Sequence, residues 1–289
     1  MLQVVLFNVT NGLIIGTFYV LMALGLSLIL NLSGVINFAH GNFLALGGYI
    51  AFVLTPFIGF WGALFIAPLA TALLGLLIER LIIRRVYALN HVYSLLLTFG
   101  LAFVMQDVMR YAWGPNPLPL GIPDLLSQPL SADLFFITYY RVFMVAIVIA
   151  VVVALFAFLR RTRVGIRIRA GTLDLDTVSV LGVNVRALRA FNFALGCLLA
   201  GVSGVLAAGQ IGLNPNMGDD LIMPSFIAII VGGVGSLTGT LIGGLVIGVA
   251  AALTTLVYPS ASEAVIYIIM ALVLLVRPRG LMGEEGMLT

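Results

Sequence analysis

An arginine-rich stretch, residues 160–189, lies between two long apolar segments and limits how this chain can fold. It holds half of the 14 basic residues of the protein: Arg160, Arg161, Arg163, Arg167, Arg169, Arg186 and Arg189. An arginine at the centre of a bilayer costs about 2.5–3.5 kcal/mol, and the arginine content of loops sets the orientation of a membrane protein. The stretch is therefore predicted to be a loop on the cytoplasmic side.

The middle of this loop has the pattern of a short helix. Asp174 is placed as the N-cap, Asp176 complements the positive end of the helix dipole, and Gly182 is placed to end the helix in the left-handed conformation. Its apolar residues would share one face at helical spacing: Leu175, Val178 and Leu181. A helix of about two turns cannot bury such a face alone, so it should dock on another surface. The alternative is a solvated basic loop that only fixes orientation, and the pattern alone leaves both open.

The composition predicts an integral membrane protein, because 62% of the 289 residues are hydrophobic and only 9% are charged, against about 25% charged residues in soluble domains. At about 20 residues per spanning helix, the length allows about eight or nine spans. The predicted fold is all-α: a polytopic membrane protein in which residues 1–289 form a single transmembrane domain with some broken or re-entrant segments. The first apolar stretch has no basic segment ahead of it and is interpreted as span one, not as a cleaved signal peptide.

Several kinds of chemistry are missing from the sequence. It has no lysine, so it lacks the Gly-Lys-Ser/Thr of a nucleotide-binding P-loop. Cys197 is the only cysteine and lies in an apolar run, where packing is its expected role. His40 and His91 are far apart, so no metal site is predicted. The net charge of +3 is attributed to cytoplasmic loops and indicates no binding of nucleic acid.

The first span, about residues 11–30, ends at a polar, glycine-bearing stretch, residues 31–42. Non-helical backbone at membrane depth is tolerated only where it is buried in protein or lines a water-filled cavity. Asn37, His40 and Asn42 are therefore candidates for a substrate pathway or its gate. The alternative is an ordinary turn with a solvated histidine.

Two apolar segments follow, residues 44–57 and 61–78. Charged residues after the second segment mark another cytoplasmic loop: Glu79, Arg80, Arg84 and Arg85. If residues 44–57 cross the membrane fully, the N-terminus lies outside; if they are re-entrant, it lies inside. The sequence leaves the side of the N-terminus open.

The next span, residues 91–112, carries Asp107 and Arg110. An intramembrane carboxylate is a functional hypothesis by default. Because these two residues are three apart near the outer end of the span, a self-compensating ion pair is the favoured interpretation. The loop that follows has no arginine until Arg141, which suits the external side.

Small residues recur in several of the spans. Gly12 and Gly16 in the first span, and every fourth residue from Gly196 to Ala208 in a span at residues 190–210, predict tight helix contacts. Residues 221–257 are interrupted by VGGVGSLTG, which predicts a broken helix of the kind that transporters place around a substrate. The last span, residues 263–276, is followed by RPRG, so the C-terminus is expected inside.

Three blocks of the sequence together resemble a known family, the membrane permease subunits of ATP-binding-cassette importers for branched-chain amino acids. They are GTFYVLMALGLSLILNLSGVINFAHGNFLALGGY near the N-terminus, LLLTFGLAFVMQ around Thr98, and RIRAGTLDLDTVSVLGVNVRALRAFNFALGCLLAGVSGVL from the arginine-rich loop onward. Weaker similarity continues through IVGGVGSLTGTLIGG. The blocks occur in the family's order, and the similarity covers nearly the whole chain.

The resemblance implies a transport subunit, not an enzyme, in the inner membrane of a bacterial or archaeal cell. Its implied partners are a second, homologous permease, two cytoplasmic ATPases and a substrate-binding protein outside the membrane. ATP would be used by the partner subunits, and no cofactor is expected in this chain. The resemblance assigns the ATPase coupling contact to residues of the loop: Arg169, Asp174, Val178, Leu181, Gly182 and Asn184. The family usually has alanine at the position of Val178.

The resemblance also implies a branched-chain or similar small amino acid as the substrate. Half-helix ends can bind the amino and carboxylate groups of such a substrate without charged side chains. The residues expected along the substrate pathway or at its gate are Asn37, His40, Gly41, Asn42, Thr98 and Gly100.

A rival function is a self-sufficient ion-coupled transporter or channel for a small polar solute. Such carriers usually place carboxylates in mid-membrane, whereas the candidates here, Asp107 and Glu263, lie near span ends. A polytopic membrane enzyme would need clustered acid, base or metal-binding groups, and the sequence shows none.

Overall fold

The computed structural model describes residues 2–87, 89–132 and 135–283, and these residues are predominantly helical, as predicted. In the predicted external loop, strands β1 (Pro129–Ala132) and β2 (Phe135–Thr138) pair antiparallel, with Pro129 opposite Thr138. Short 3-10 turns cover Ile83–Arg85 and Pro259–Ala261. The α-helices within the described residues are α1 (Leu2–Ser33), α2 (His40–Leu81), α3 (His91–Trp113), α4 (Asp124–Ser127), α5 (Tyr139–Arg161), α6 (Arg163–Leu173), α7 (Leu175–Val180), α8 (Val185–Ile211), α9 (Met217–Gly232), α10 (Leu237–Val257) and α11 (Ser262–Val276).

Within the described residues, 7 helices are long and apolar enough to cross a membrane. Helix α2 is divided at Gly59, whose φ of 71° and ψ of 170° are not helical. Its two parts, residues 40–58 and 60–81, both fall within the range of about 17–25 residues that a membrane-spanning helix needs. Helix α9, with 16 residues, is too short to span fully. The predicted polytopic fold with broken segments is therefore confirmed.

The chain divides into two compact units. Unit 1 comprises Met1–Ser27, Ile122–Val148 and Asp220–Thr289. Inside this unit α1 packs on α10 through small residues, because a methyl group on Gly12 would collide with the backbone of Gly248. The predicted close approach at Gly12 and Gly16 is thus confirmed. Buried side chains of α9, α10 and α11 form a core cluster of Ile227, Val231, Ile247 and Ile266.

The VGGVGSLTG sequence, also in unit 1, breaks the chain between α9 and α10 as predicted. Gly233 and Gly235 have φ values of 108° and 94°, which L-residues with a side chain rarely adopt. The N–H groups of Leu281 and Met282 donate to the carbonyls of Val231 and Gly232, each at 2.9 Å. Residues of the C-terminal segment, not an open site, therefore lie against this break.

Unit 2 comprises Leu28–Gly121 and Ile149–Asp219, and its centre is the packing of α2 on α8. A methyl group on Gly204 would collide with the Leu44 carbonyl, and one on Gly75 would collide with Cys197. The small-residue stripe of α8 thus lets two helix backbones approach closely, as predicted. The thiol of Cys197 is buried in this interface, which agrees with the packing role expected for it.

Candidate substrate site and coupling loop

The predicted break after α1 is irregular backbone buried within unit 2. Gly34 has a φ of 66° and its N–H donates to the Leu30 carbonyl at 2.8 Å, which ends α1. Residues 34–39 then connect to α2 without helical structure, and Asn37 and His40 are both 0% exposed. The alternative of an ordinary turn with a solvated histidine is therefore wrong.

Helix α3 holds this break in place through one hydroxyl group. Thr98 Oγ1 donates to the Ile36 carbonyl at 3.0 Å and accepts from the Phe38 N–H at 3.3 Å. His91 Nδ1 lies 3.0 Å from the Gly34 carbonyl, and the Phe38 ring meets Phe99 edge-on at 5.9 Å. In unit 2, Thr98 therefore positions the backbone that carries Asn37, a role that sequence analysis gave only as proximity to a pathway.

Two buried asparagine amides, one in the break and one in the first turn of α2, have no hydrogen-bond partner within the described residues. Both side-chain atoms of Asn37 and of Asn42 lack a hydrogen-bond partner within the described residues, although Asn42 is only 1% exposed. A buried polar group left unsatisfied costs about 1–3 kcal/mol. Helix α2 also begins without a side-chain cap, because its N-cap is Ala39. The start of α2 therefore has an uncapped first turn and two side-chain amides that form no hydrogen bond within the described residues.

The first turns of α2 and α9 meet at two glycines of unit 2. A methyl group on Gly41 would collide with the backbone of Gly218, and one on Gly218 would collide with Gly41. Only glycine permits this approach, so two helix N-termini, each carrying a partial positive charge, lie side by side. Sequence analysis named Gly41 but gave no reason to pair it with Gly218, because the two residues are far apart in the chain.

Gly100, in contrast, does not join these residues. It lies two positions after Thr98 on α3, which is about 200° around the helix. Its position is exposed, and a methyl group there would have no atom within 4 Å. The structure thus brings Asn37, His40, Gly41, Asn42 and Thr98 to one buried region and leaves Gly100 on an outer face.

The predicted ion pair at the outer end of α3 is present. Arg110 Nη1 lies 3.5 Å from Asp107 Oδ1, which confirms the self-compensating interpretation. Arg110 Nη2 also donates to Asn216 Oδ1 at 3.2 Å. Gln106 Nε2 donates to Asp219 Oδ2 at 2.7 Å and to Asn216 Oδ1 at 3.0 Å. This network ties α3 to the loop before α9 and to the first turn of α9, and no local sequence signal connects residues so far apart.

The arginine-rich loop contains two short helices, α6 and α7, and α7 begins at the predicted Asp174 cap and is followed by the predicted left-handed glycine, Gly182. Asp174 Oδ1 accepts from the Thr177 N–H at 2.9 Å, and Asp174 Oδ2 accepts from the Thr177 hydroxyl. Gly182 follows α7 with a φ of 83°. Asn184 Oδ1 then accepts from the Ala187 N–H at 3.0 Å and caps α8. Hydrogen bonds from the Thr177 hydroxyl and N–H hold the pKa of Asp174 below its usual value, so this carboxylate is charged.

The apolar residues of α7 do not share one outer face, which corrects that prediction. Val178 is 5% exposed and Leu175 is half-buried, and a methyl group on Gly171 would touch the Leu175 side chain. Leu181 is 76% exposed. The outward apolar surface of the loop instead consists of Leu173, Val180 and Leu181. Among the assigned coupling residues, the Val178 side chain therefore packs inward, while Arg169 and Leu181 are exposed.

A buried charged cluster stands at the end of α2, also in unit 2. Glu79, which sequence analysis placed in a cytoplasmic loop, is 0% exposed and belongs to α2. Tyr87 donates its hydroxyl to Glu79 Oε1 at 3.0 Å, and the Arg189 guanidinium lies 4.8 Å from the centre of the Tyr87 ring. Burial, and then the charge of Glu79, raise the pKa of Tyr87. This cluster joins α2, the loop after it and the first turns of α8.

The described helices and the buried polar break place the chain among multi-pass α-helical membrane transport proteins. The chain belongs to the family described as branched-chain amino acid transport system / permease component, whose model matches residues 8–274.

Individual relatives agree with this family, and one solved structure has a similar fold. The chain is 31% identical to the high-affinity branched-chain amino acid transport system permease protein BraD of Pseudomonas aeruginosa, over 96% of this chain and 95% of BraD. It is also 31% identical to the permease protein LivH of Escherichia coli K12, over 95% of this chain and 94% of LivH. A structure of PsaBC from Streptococcus pneumoniae in complex with Fab has a similar fold, with a TM-score of 0.50, 15% identity, and coverage of 92% of this chain and 89% of that chain.

Proposed function

We propose that this chain is the membrane permease subunit of an ATP-binding-cassette importer and moves branched-chain or similar small amino acids into the cell. The observation that carries this proposal is the 31% identity to BraD over 96% of the chain, which leaves no large part of the chain unaligned. The buried break at residues 34–39 and the first turn of α2 supply polar groups at a helix end, which is where transporters bind small polar substrates.

Energy enters through the arginine-rich loop in this proposal. Its outward surface combines the exposed apolar side chains of Leu173, Val180 and Leu181 with arginines such as Arg169. An apolar patch rimmed by polar residues marks a protein interaction site. The partner is a cytoplasmic ATPase. Asp174, Gly182 and Asn184 fix the conformation of the loop that the ATPase binds. Val178 contributes through packing beneath that surface.

The remaining partners follow from the family. A second, homologous permease completes the transmembrane part, a second ATPase completes the cytoplasmic part, and a binding protein delivers substrate at the outer face of a bacterial or archaeal inner membrane. A methyl group on Gly171 would touch Leu32, so the C-terminal end of α1 lies against the loop. Because α1 is about 48 Å long and crosses the bilayer, a cytoplasmic loop puts the N-terminus outside.

Uptake by the reconstituted importer tests this function. The permease is purified with its ATPases and second permease, placed in proteoliposomes, and supplied with binding protein and labelled leucine. We expect uptake that requires ATP and stops when the ATPases are omitted. Uptake by the permease alone, driven by an ion gradient, would contradict the proposal and favour the self-sufficient carrier.

A further inference from the structure

We propose that the N-terminal end of α2 binds the α-carboxylate of the transported amino acid, with the amides of Asn37 and Asn42 as its hydrogen-bond donors. This assignment rests on the proposed function, because it takes an amino acid as the substrate. It goes beyond it by naming the group that is recognised and the residues that recognise it.

The helix end supplies the first part of the site. The first turn of an α-helix leaves backbone N–H groups without intrahelical partners. In α2 the N-cap is Ala39, whose side chain accepts no hydrogen bond, and the first-turn residues His40, Gly41 and Asn42 are all buried. A buried, uncapped N-terminus carries about half a positive charge and binds anions such as carboxylates.

The two asparagine side chains supply the second part. Asn37 and Asn42 are buried to at least 99%, and none of their four side-chain polar atoms has a hydrogen-bond partner within the described residues. Helical side chains lean toward the N-terminus of their helix, so Asn42 is directed back over the uncapped turn. The Asn37 carbonyl accepts from the His40 N–H at 3.2 Å, which puts Asn37 in the turn that leads into α2. Each amide has two N–H donors for a carboxylate.

The adjoining helix end supplies an acceptor for the other pole of the substrate. Gly218 touches Gly41, and the next residue is Asp219, whose Oδ2 accepts from Gln106. Donors at α2 beside a carboxylate on α9 match the charges of an amino-acid zwitterion. Neutral donors also suit a transport site, since binding must be weak enough to permit release.

The described conformation is a closed form of this site. Because Gly41 and Gly218 are in backbone contact, a substrate cannot lie between the two helix ends until they separate. The proposed site therefore opens and closes by movement of the first turns of α2 and α9 relative to each other.

An amide-to-carboxylate exchange tests the assignment, because a structural role and a binding role predict opposite results. The helix dipole favours Asp in the first turn of a helix and offsets part of the cost of burying its charge, so Asn42→Asp should still give a folded importer on size-exclusion chromatography. The same charge repels a substrate carboxylate, so leucine uptake should fall at least about tenfold. Asn37→Asp should lower uptake in the same direction, and Asn42→Ala should give an intermediate loss. Gln3→Glu, the same exchange in the exposed first turn of α1, is the matched control and should transport normally.

The outcomes separate the two levels of the proposal. Uptake within twofold of the unmodified importer for both Asn42→Asp and Asn37→Asp would overturn the carboxylate site. Absence of ATP-dependent leucine uptake by the unmodified importer would instead overturn the proposed function.

Discussion

The start of α2 and the arginine-rich loop are both places where helices begin, but they satisfy their helix ends differently. In the loop, Asp174 and Asn184 cap α7 and α8 with their own side chains. At the start of α2, Ala39 gives no cap, and the nearby buried amides of Asn37 and Asn42 have no partner in the part of the chain that the structure describes. A helix whose first N–H groups are capped by its own chain has a stable end without any ligand, so its surface can bind a partner protein. A buried helix end without a cap is stabilised most by a small ligand that supplies the missing hydrogen-bond acceptor.

Changing the exposed surface of the loop should have the largest effect. Leu181→Asp puts a charge on a side chain that is 76% exposed, so we expect the permease to fold normally but to lose co-purification with its ATPase almost completely. Leu125→Asp, at a leucine of the predicted external loop that is 70% exposed, should retain the ATPase. Retention by Leu181→Asp would show that the capped loop is not the docking surface.

A charge at the buried side of the same helix should act through folding instead. Val178→Asp puts a carboxylate where 5% of the residue is exposed. An unpaired buried charge costs several kcal/mol, so the loss of ATPase should come with loss of folded permease on size-exclusion chromatography. A folded Val178→Asp variant that merely fails to bind the ATPase would mean that Val178 faces the partner directly.

Two glycines assigned to the pathway should respond in opposite ways. Gly41→Ala forces a methyl group against the backbone of Gly218, and overpacking of this kind costs about 1–3 kcal/mol. Gly100→Ala meets open space and should be neutral or stabilising by up to about 1 kcal/mol, since alanine favours helix. Thermal unfolding of the two variants in detergent measures the difference. Equal melting temperatures would contradict the finding that Gly41 is tightly packed and Gly100 is not.

Removing the hydroxyl that holds the break should have a moderate effect. Thr98→Val keeps the shape of the side chain but loses the contacts to Ile36 and Phe38, at a cost of about 1–2 kcal/mol. Hydrogen exchange of residues 34–39 should become faster, while Thr98→Ser should preserve the slow exchange. Unchanged exchange in Thr98→Val would show that the break does not depend on α3.

The cap of α7 should give the smallest effect and a pH dependence that appears only in acid. Asp174→Ala removes the acceptor of the Thr177 N–H and should weaken ATPase retention, whereas Asp174→Asn keeps an acceptor and should weaken it less. Because the pKa of Asp174 is lowered below its ordinary 3.8, the cap is present above that pH and is lost only as the pH falls below it. Retention by the unmodified permease should therefore be unchanged between pH 7 and 5, and a loss within that range would contradict a cap formed by ionised Asp174.

Sequence reasoning was most successful where a feature depends on neighbouring residues. The Asp174 cap, the left-handed Gly182 and the irregular stretch at residues 34–39, predicted within residues 31–42, are local, because short hydrogen bonds and backbone preferences decide them. It was least successful for features that depend on distant partners. It could not pair Gly41 with Gly218 or Gln106 with Asp219, because the chain brings these residues together only through the packing of helices.

The amino-acid sequence by itself determined that the chain lies in a membrane, because its apolar content exceeds what a soluble domain carries. It also determined that the helices break within residues 31–42 and at VGGVGSLTG, and that α7 is capped by Asp174. Only the tertiary structure decided which side of each helix is used: Val178 faces inward and Leu181 outward, and Thr98 is buried while Gly100 is exposed. Periodicity fixes which residues share a face of a helix, but the neighbouring helices, held by long-range packing, fix which face is covered.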